Sequence, residues 1–209
     1  MFHILCLQET WLIDSTPLVL HGYTPFPLPA LKTSRKGRAR GGLAILVSVK
    51  LDVKLEVIYQ SERNFILSIL VTGSWGNGLK ALICINAYCP PDKTENPTSF
   101  WNELEEAINR CESLHPRAAI VLCGDFNARV GSGLTETVLD SDLEYDEPFL
   151  SDRLSLDKVL NKQGRKLAET MSGLQLICLH GSSRDDSKGY FTFLNSRAGS
   201  VIDYIFSIP

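Results

Sequence analysis

The run Ala118-Ala119-Ile120-Val121-Leu122-Cys123 constrains the fold more than any other stretch of the chain. An unbroken row of small and branched apolar residues reads as a strand buried on both faces, and such a strand needs covering layers on each side. The run ends abruptly on Gly124-Asp125-Phe126-Asn127. A carboxylate at the exposed end of a buried strand can bind a cation or take a proton from water. Asn127, two residues on, points to the same side and adds a neutral donor and acceptor. Standing alone the tetrapeptide is equally an ordinary turn, because Gly, Asp and Asn are common turn formers.

At 209 residues the expectation is a single domain spanning 1–209. With 44% hydrophobic and 22% charged residues the chain has material for a full core. Neither a secretory leader nor an apolar stretch of bilayer length is present, which predicts an intracellular protein, nuclear or cytoplasmic, with no membrane partner. Met1 to Leu7 reads as the middle of a strand, so the domain is expected to be truncated upstream. The cysteines Cys6, Cys84, Cys89, Cys111, Cys123 and Cys178 lack zinc-ligand or redox spacing and mostly lie in apolar runs. They are expected to be buried free thiols in a reducing compartment. A net charge of −3 leaves any nucleic-acid binding to local patches.

Strands are predicted over 3–7, 42–49, 53–59, 64–72, 80–87, 118–123, 175–179, 190–194 and 201–206, with a hairpin turn at Asn77-Gly78. A helix is predicted from about 98 to 113, after Asn96-Pro97, with Phe100, Leu104, Ile108 and Cys111 as its apolar stripe. On this helix Glu103, Glu106 and Arg110 are expected to face water, and Trp101, beside the stripe, to enter the core. A second helix is predicted over about 161–172 with Gly173 as its stop. Strands with hairpins, interrupted by two helices, imply a layered α/β or α+β domain.

Two loops carry biased charge. Lys32, Arg35, Lys36, Arg38 and Arg40 surround Gly37, a pattern that suits either a solvated loop or an arm contacting phosphates. The acidic stretch 140–152 lacks the central Gly and final Glu of a calcium loop and reads as solvated.

Other strand ends show the same polar punctuation. Leu5-Cys6-Leu7 runs into Gln8-Glu9-Thr10, strand 80–87 into Tyr88-Cys89-Pro90-Pro91, and Asp203 lies between Ile202 and Tyr204 after Ser200. An unpartnered carboxylate in an apolar run would cost several kcal/mol, so Asp203 calls for a metal, a cation or a histidine. In order, Leu-Gln-Glu-Thr, Tyr-Cys-Pro-Pro, Gly-Asp-Phe-Asn and Ser-Val-Ile-Asp-Tyr resemble the endonuclease/exonuclease/phosphatase superfamily, which includes deoxyribonuclease I and the apurinic/apyrimidinic endonucleases. Arg40-Gly41-Gly42-Leu43-Ala44, Asn161-Lys162-Gln163-Gly164 and Gly189-Tyr190-Phe191-Thr192-Phe193 are similar to the endonuclease domain of LINE-type non-LTR retrotransposons.

The resemblance implies a deoxyribonuclease I-like α/β (α+β) fold: a four-layer sandwich of two mixed sheets flanked by helices, with the active site where strand-end loops converge. It implies a Mg²⁺-dependent DNA endonuclease that nicks phosphodiester bonds, with Mn²⁺ as an alternative ion. Glu9 would be the principal metal ligand. Asp125 would orient or deprotonate the attacking water, and Asn127 would hold that water or a phosphate oxygen. Tyr88 would donate to the scissile phosphate, and Asp203 would orient a histidine. Thr192 and Ser200 would contact the DNA backbone, and Arg35, Lys36 and Arg38 would contribute to nucleic-acid binding. DNA is the implied partner of a monomeric domain, and a reverse transcriptase domain would accompany it in the full element.

The chain departs from the family pattern at both ends. The family's first strand, with its asparagine, and its last strand, with Ser-Asp-His, have no counterpart between Met1 and Pro209. None of His3, His21, His115 or His180 follows Asp203, and His180, before Gly181, reads as a loop or core residue. Loss of a positioned histidine typically costs about 10²- to 10⁴-fold in rate, so impaired activity is expected. The alternatives are a catalytically dead relic that at most binds nucleic acid, and a phosphatase of the same superfamily.

Overall fold

Leu43 to Ser48 are all buried, and they form the central strand of a three-stranded antiparallel sheet. In the computed structural model, residues 2–32, 37–74, 78–91, 97–134, 153–196 and 198–208 are described. The chain divides into two compact units, Met1–Gly124 and Asp125–Pro209.

In the first unit, β1 (Ile4–Leu7), β2 (Tyr23–Leu28) and β3 (Leu43–Ser48) form one sheet in the order β1-β3-β2. A second sheet runs β4 (Val53–Gln60), β5 (Ile66–Gly73), β6 (Ala81–Tyr88) and β7 (Ala119–Asp125), in that order; Asp125 already belongs to the second unit. Strand alternation makes the core. Leu43, Ile45 and Val47 of β3 pack with Leu67, Ile69 and Val71 of β5 and Cys84 and Tyr88 of β6. The opposite faces of β5 and β6, with Ile66, Leu70, Ile83 and Ile85, are buried as well. Helix α1 (Pro97–Leu114) lies on that side, where Phe100 meets Phe65 edge-on and Glu103 accepts from Tyr59 Oη. Burial and the neighbouring Glu103 carboxylate push the Tyr59 phenol up to about 12. The predicted stripe Phe100, Leu104, Ile108 and Cys111 is buried, and so is Trp101.

Strand β2 is absent from the sequence reading because Pro25 and Pro27 argue against pairing. The two prolines share one alternation of the strand, so both missing donors fall on the same side. Among the described residues β2 pairs only with β3, which leaves that side as a sheet edge. Asn77, Asn96 and the acidic stretch 140–152 lie outside the described residues.

The second unit holds α2 (Lys162–Gly173), β8 (Ile177–Cys178), β9 (Phe193–Leu194), β10 (Gly199–Ser200) and β11 (Asp203–Ser207). Strand β11 pairs antiparallel with β8, and β10 with β9. The rings of Phe126, Tyr204 and Phe206 pack together, with His180 edge-on to Tyr204. Asn161 caps α2 by accepting from Gly164 N–H at 2.7 Å. Gly173 is its last helical residue rather than its stop, and the left-handed turn falls on Gln175 at φ 54°.

Three predicted strands are shorter than expected, two because side chains take their backbone donors and one because a helix-ending turn does. Tyr190 N–H goes to Asp186 Oδ1, so the strand predicted over 190–194 shrinks to Phe193–Leu194. Val201 N–H goes to Asp157 Oδ2 and Ile202 N–H to Thr192 Oγ1, which delays β11 to Asp203. Gln175 lies in the turn and β8 is only Ile177–Cys178. All six cysteines are free thiols. Among the described residues, no helix is long and apolar enough to cross a membrane.

Candidate active site

In the first unit, the chain leaves β1 through two left-handed residues, Glu9 at φ 51° and Trp11 at φ 53°. Non-glycine residues hold such angles only when their surroundings impose them. Here Thr10 N–H donates to Gly42 O at 3.1 Å and Trp11 N–H to Gly41 O at 3.0 Å. Gly42 is needed because a Cβ there would lie 2.5 Å from Thr10 Oγ1. The exit therefore holds the exposed Glu9 carboxylate in place, and Tyr88 Oη donates to Glu9 Oε1 at 2.7 Å. Tyr88, the last residue of β6, is 7% exposed.

Beneath this pair lies Asn86, fully buried in a strand that reads as apolar from sequence. Its amide donates to Leu7 O at 2.9 Å and Ala44 O at 3.0 Å, and its carbonyl accepts from Gln8 Nε2 at 2.6 Å. Leu7 and Ala44 are register partners, so one side chain ties the end of the β1–β3 ladder to β6. This residue escaped the sequence reading. An asparagine at an inward-facing position of a buried strand is the signal that could have found it.

Gly124 is a strand residue of β7, not a turn residue. A Cβ there would run into the backbone carbonyl of Ala87 on β6. The glycine of Gly-Asp-Phe-Asn thus permits close approach of two strands. Arg38 sets its guanidinium 3.3 Å from the centre of the Trp11 ring. Arg35 and Lys36 lie outside the described residues.

In the second unit, Asp125 Oδ1 accepts the backbone N–H of Asn127 at 2.9 Å, and Asn127 is left-handed at φ 47°. The turn reading holds at Asp125, and the Asx turn fixes the direction of its carboxylate. Thr192 is an anchor as well as an exposed hydroxyl: its Oγ1 accepts from Ile202 N–H at 3.1 Å and Asp203 N–H at 3.2 Å. Ser200 O accepts from Thr192 N–H at 3.0 Å.

Burial pushes the Asp203 carboxyl above its ordinary range, while a hydrogen bond from Thr192 and the charge of His180 pull it down. The partner that Asp203 called for is thus chiefly a hydroxyl. His180 still acts on it electrostatically, although no histidine follows Asp203 in the chain. His180 itself sets Nε2 2.9 Å from Tyr190 O and 3.4 Å from Asp186 Oδ2. Among the described residues, no three His, Cys, Asp or Glu side chains gather into a metal cage. Glu9 with Tyr88, Asp125 with Asn127, and Thr192 with Asp203 are the predicted groups brought together within their units.

Several solved structures share the fold. The endonuclease domain of TRAS1, a telomere-specific non-LTR retrotransposon, is 20% identical with a TM-score of 0.57, covering 99% of this chain and 73% of that one. The 3′-5′ exonuclease NExo of Neisseria meningitidis is 18% identical with a TM-score of 0.61, covering 99% and 77%. The catalytic domain of human Nocturnin is 14% identical with a TM-score of 0.56, covering 98% and 68%. No curated protein matches the sequence. At these identities the likeness shows the fold, which is the deoxyribonuclease I-like α+β arrangement of two-sheet nucleases and phosphatases. The sequence itself matches the family pattern from residue 2 to residue 207, and the chain therefore belongs to the Endonuclease/Exonuclease/phosphatase family.

Proposed function

We propose that the protein is a divalent-metal-dependent DNA endonuclease of retrotransposon type, hydrolysing phosphodiester bonds by nicking. The observation that carries the reading is the Tyr88–Glu9 hydrogen bond, which holds an exposed carboxylate against a phenol at a strand exit. The family match runs through both units, which supports treating 1–209 as one functional domain.

The donor chemistry fits Mg²⁺, or Mn²⁺ in its place. Mg²⁺ needs one or two carboxylates and fills its shell with waters and phosphate oxygens. Glu9 would hold it, and Tyr88 fixes which way that carboxylate faces. When bound, the ion supplies positive charge for the phosphorane oxygens. The Tyr88 hydroxyl would turn toward a non-bridging phosphate oxygen. Asp125, its carboxylate oriented by Asn127 N–H, would accept the proton of the attacking water. The Asn127 amide would hold that water or a phosphate oxygen.

Asp203 would act as a positioning carboxylate anchored through Thr192. Thr192 and Ser200 would meet the DNA backbone, and Arg35, Lys36 and Arg38 would meet neighbouring phosphates. A reverse transcriptase elsewhere in the same element is the expected companion.

The test is plasmid nicking with and without Mg²⁺, using wild type, Glu9→Gln and Asp125→Asn. Metal-dependent nicking lost in both variants supports the proposal. Nicking retained by both variants would refute these roles. Hydrolysis of a small phosphoester with no action on DNA would favour the phosphatase alternative.

A further inference from the structure

Trp11 is an unusual residue to find at a strand exit. Trp11 is 41% exposed, whereas Trp101 in the same unit is 1% exposed. Its left-handed backbone is held by the Gly41 carbonyl, so the ring is placed by the fold. Arg38 lies 3.3 Å over the ring and sits between two positive-φ glycines, Gly37 at φ 111° and Gly41 at φ 68°. A Cβ on Gly41 would be 3.9 Å from the Tyr88 ring, and Tyr88 is bonded to Glu9. The indole, the guanidinium, the phenol and the carboxylate thus occupy one neighbourhood of the first unit.

A flat aromatic face with a guanidinium above it matches the chemistry of a nucleobase next to its phosphate. The ring stacks on the base, and the cation, delocalised and weakly hydrated, can leave the ring for the phosphate. Paired bases in a duplex already have both faces covered by their neighbours. An exposed ring therefore selects a base that is unpaired: in a single strand, at a frayed end or in a bulge.

We infer that Trp11 and Arg38 form a subsite that stacks one unpaired base of a nucleic acid beside the phosphate handled by Glu9 and Tyr88. The inference rests on the nuclease reading for its position and goes beyond it in substrate form: locally open DNA is preferred over fully paired DNA.

The test is binding without catalysis, using the full chain in metal-free buffer with EDTA. Fluorescence anisotropy is read with a fluorescein-labelled oligodeoxyadenylate, alone and annealed to its complement. Trp11→Ala is expected to weaken single-strand binding about 10-fold, the effect of losing one base–aromatic stack. Duplex binding should change by less than about 2-fold, since phosphate contacts dominate it. Trp11→Phe should retain most single-strand affinity, and Arg38→Ala should weaken it while lowering the salt slope by about one.

If Trp11→Ala does not fold by circular dichroism, Trp11→Leu replaces it, keeping apolar bulk without a ring face. Wild-type affinity for the single strand in the ringless variant overturns the inference, and so does an equal loss on duplex. A chain that never nicks DNA yet loses single-strand binding on Trp11→Ala supports the subsite and sinks the nuclease reading alone.

Discussion

Tyr88 Oη donates to Glu9 Oε1 at 2.7 Å, joining the last residue of β6 to the exit of β1. Tyr88 is buried, so its ring is held by packing, and its hydroxyl orients Glu9 through this bond. Tyr88→Phe should keep the fold and lose the hydroxyl alone. A hydrogen bond to a charged group is worth about 1.5–3 kcal/mol, which predicts kcat for nicking about 10- to 100-fold lower. An unchanged kcat with a shifted Mg²⁺ dependence would instead assign Tyr88 only to positioning Glu9.

Asn86 is the polar tie within the first unit. Asn86→Leu leaves the Leu7 and Ala44 carbonyls and the Gln8 amide without their buried partner. The expected loss is about 2–4 kcal/mol in urea unfolding. A variant with wild-type stability would show that water replaces the amide.

In the second unit, Arg129 grips Asp157 through Nε at 2.7 Å and Nη2 at 2.6 Å, and Asp157 also accepts from Val159 N–H and Val201 N–H. Burial alone would raise the Asp157 carboxyl, but the Arg129 hydrogen bond and the two backbone donors outweigh it and hold it low. A depressed folded-state value means stability that is present above the unfolded value of about 3.9 and lost as pH falls through the lower folded value. Asp157→Asn should cost about 2–3 kcal/mol near neutrality, less than a fully buried pair because Arg129 keeps contact with water. Melting temperatures followed into acid should converge for the two proteins.

Asp203 has the opposite sign. Its carboxyl is raised by burial, so the folded state favours the protonated form. Stability from that preference is fully present below the unfolded value of about 3.9 and lost as pH rises through the raised folded value. Asp203→Asn, neutral at every pH, should melt higher than wild type near neutrality, with the gap closing in acid. If Asp203 serves the reaction, the same variant should nick more slowly. Lower stability at neutral pH would show that the charge is needed by the fold.

Gly164 lies in the first turn of α2, where alanine would ordinarily gain about 1 kcal/mol of helix propensity. A Cβ there would overlap the Arg129 carbonyl. Gly164→Ala should therefore destabilise, by about 2 kcal/mol or more in a denaturant melt. Stabilisation would mean that the Arg129 backbone yields.

The strands with unbroken apolar runs and the stripe of α1 were legible because burial imposes a period that survives in sequence. The start of α2 was legible to within a residue for a similar reason, since a helix start is a local event. The strand-end motifs identified the family, which the match over residues 2–207 bears out.

Other features depend on what the chain meets far along its length. Pro25 and Pro27 are tolerated because β2 is an edge, and Gly124 is needed because Ala87 comes close. Asn86 reads as a misplaced polar residue until Leu7, Gln8 and Ala44 surround it. The left-handed exit that presents Glu9 and Trp11 is imposed by the carbonyls of Gly41 and Gly42. Local periodicity thus determined most of the elements, because those follow from burying one face of each segment, while the strand-end motifs carried the family. The orientation of the candidate site was decided only in the tertiary structure, because its hydrogen bonds join residues some thirty to eighty positions apart.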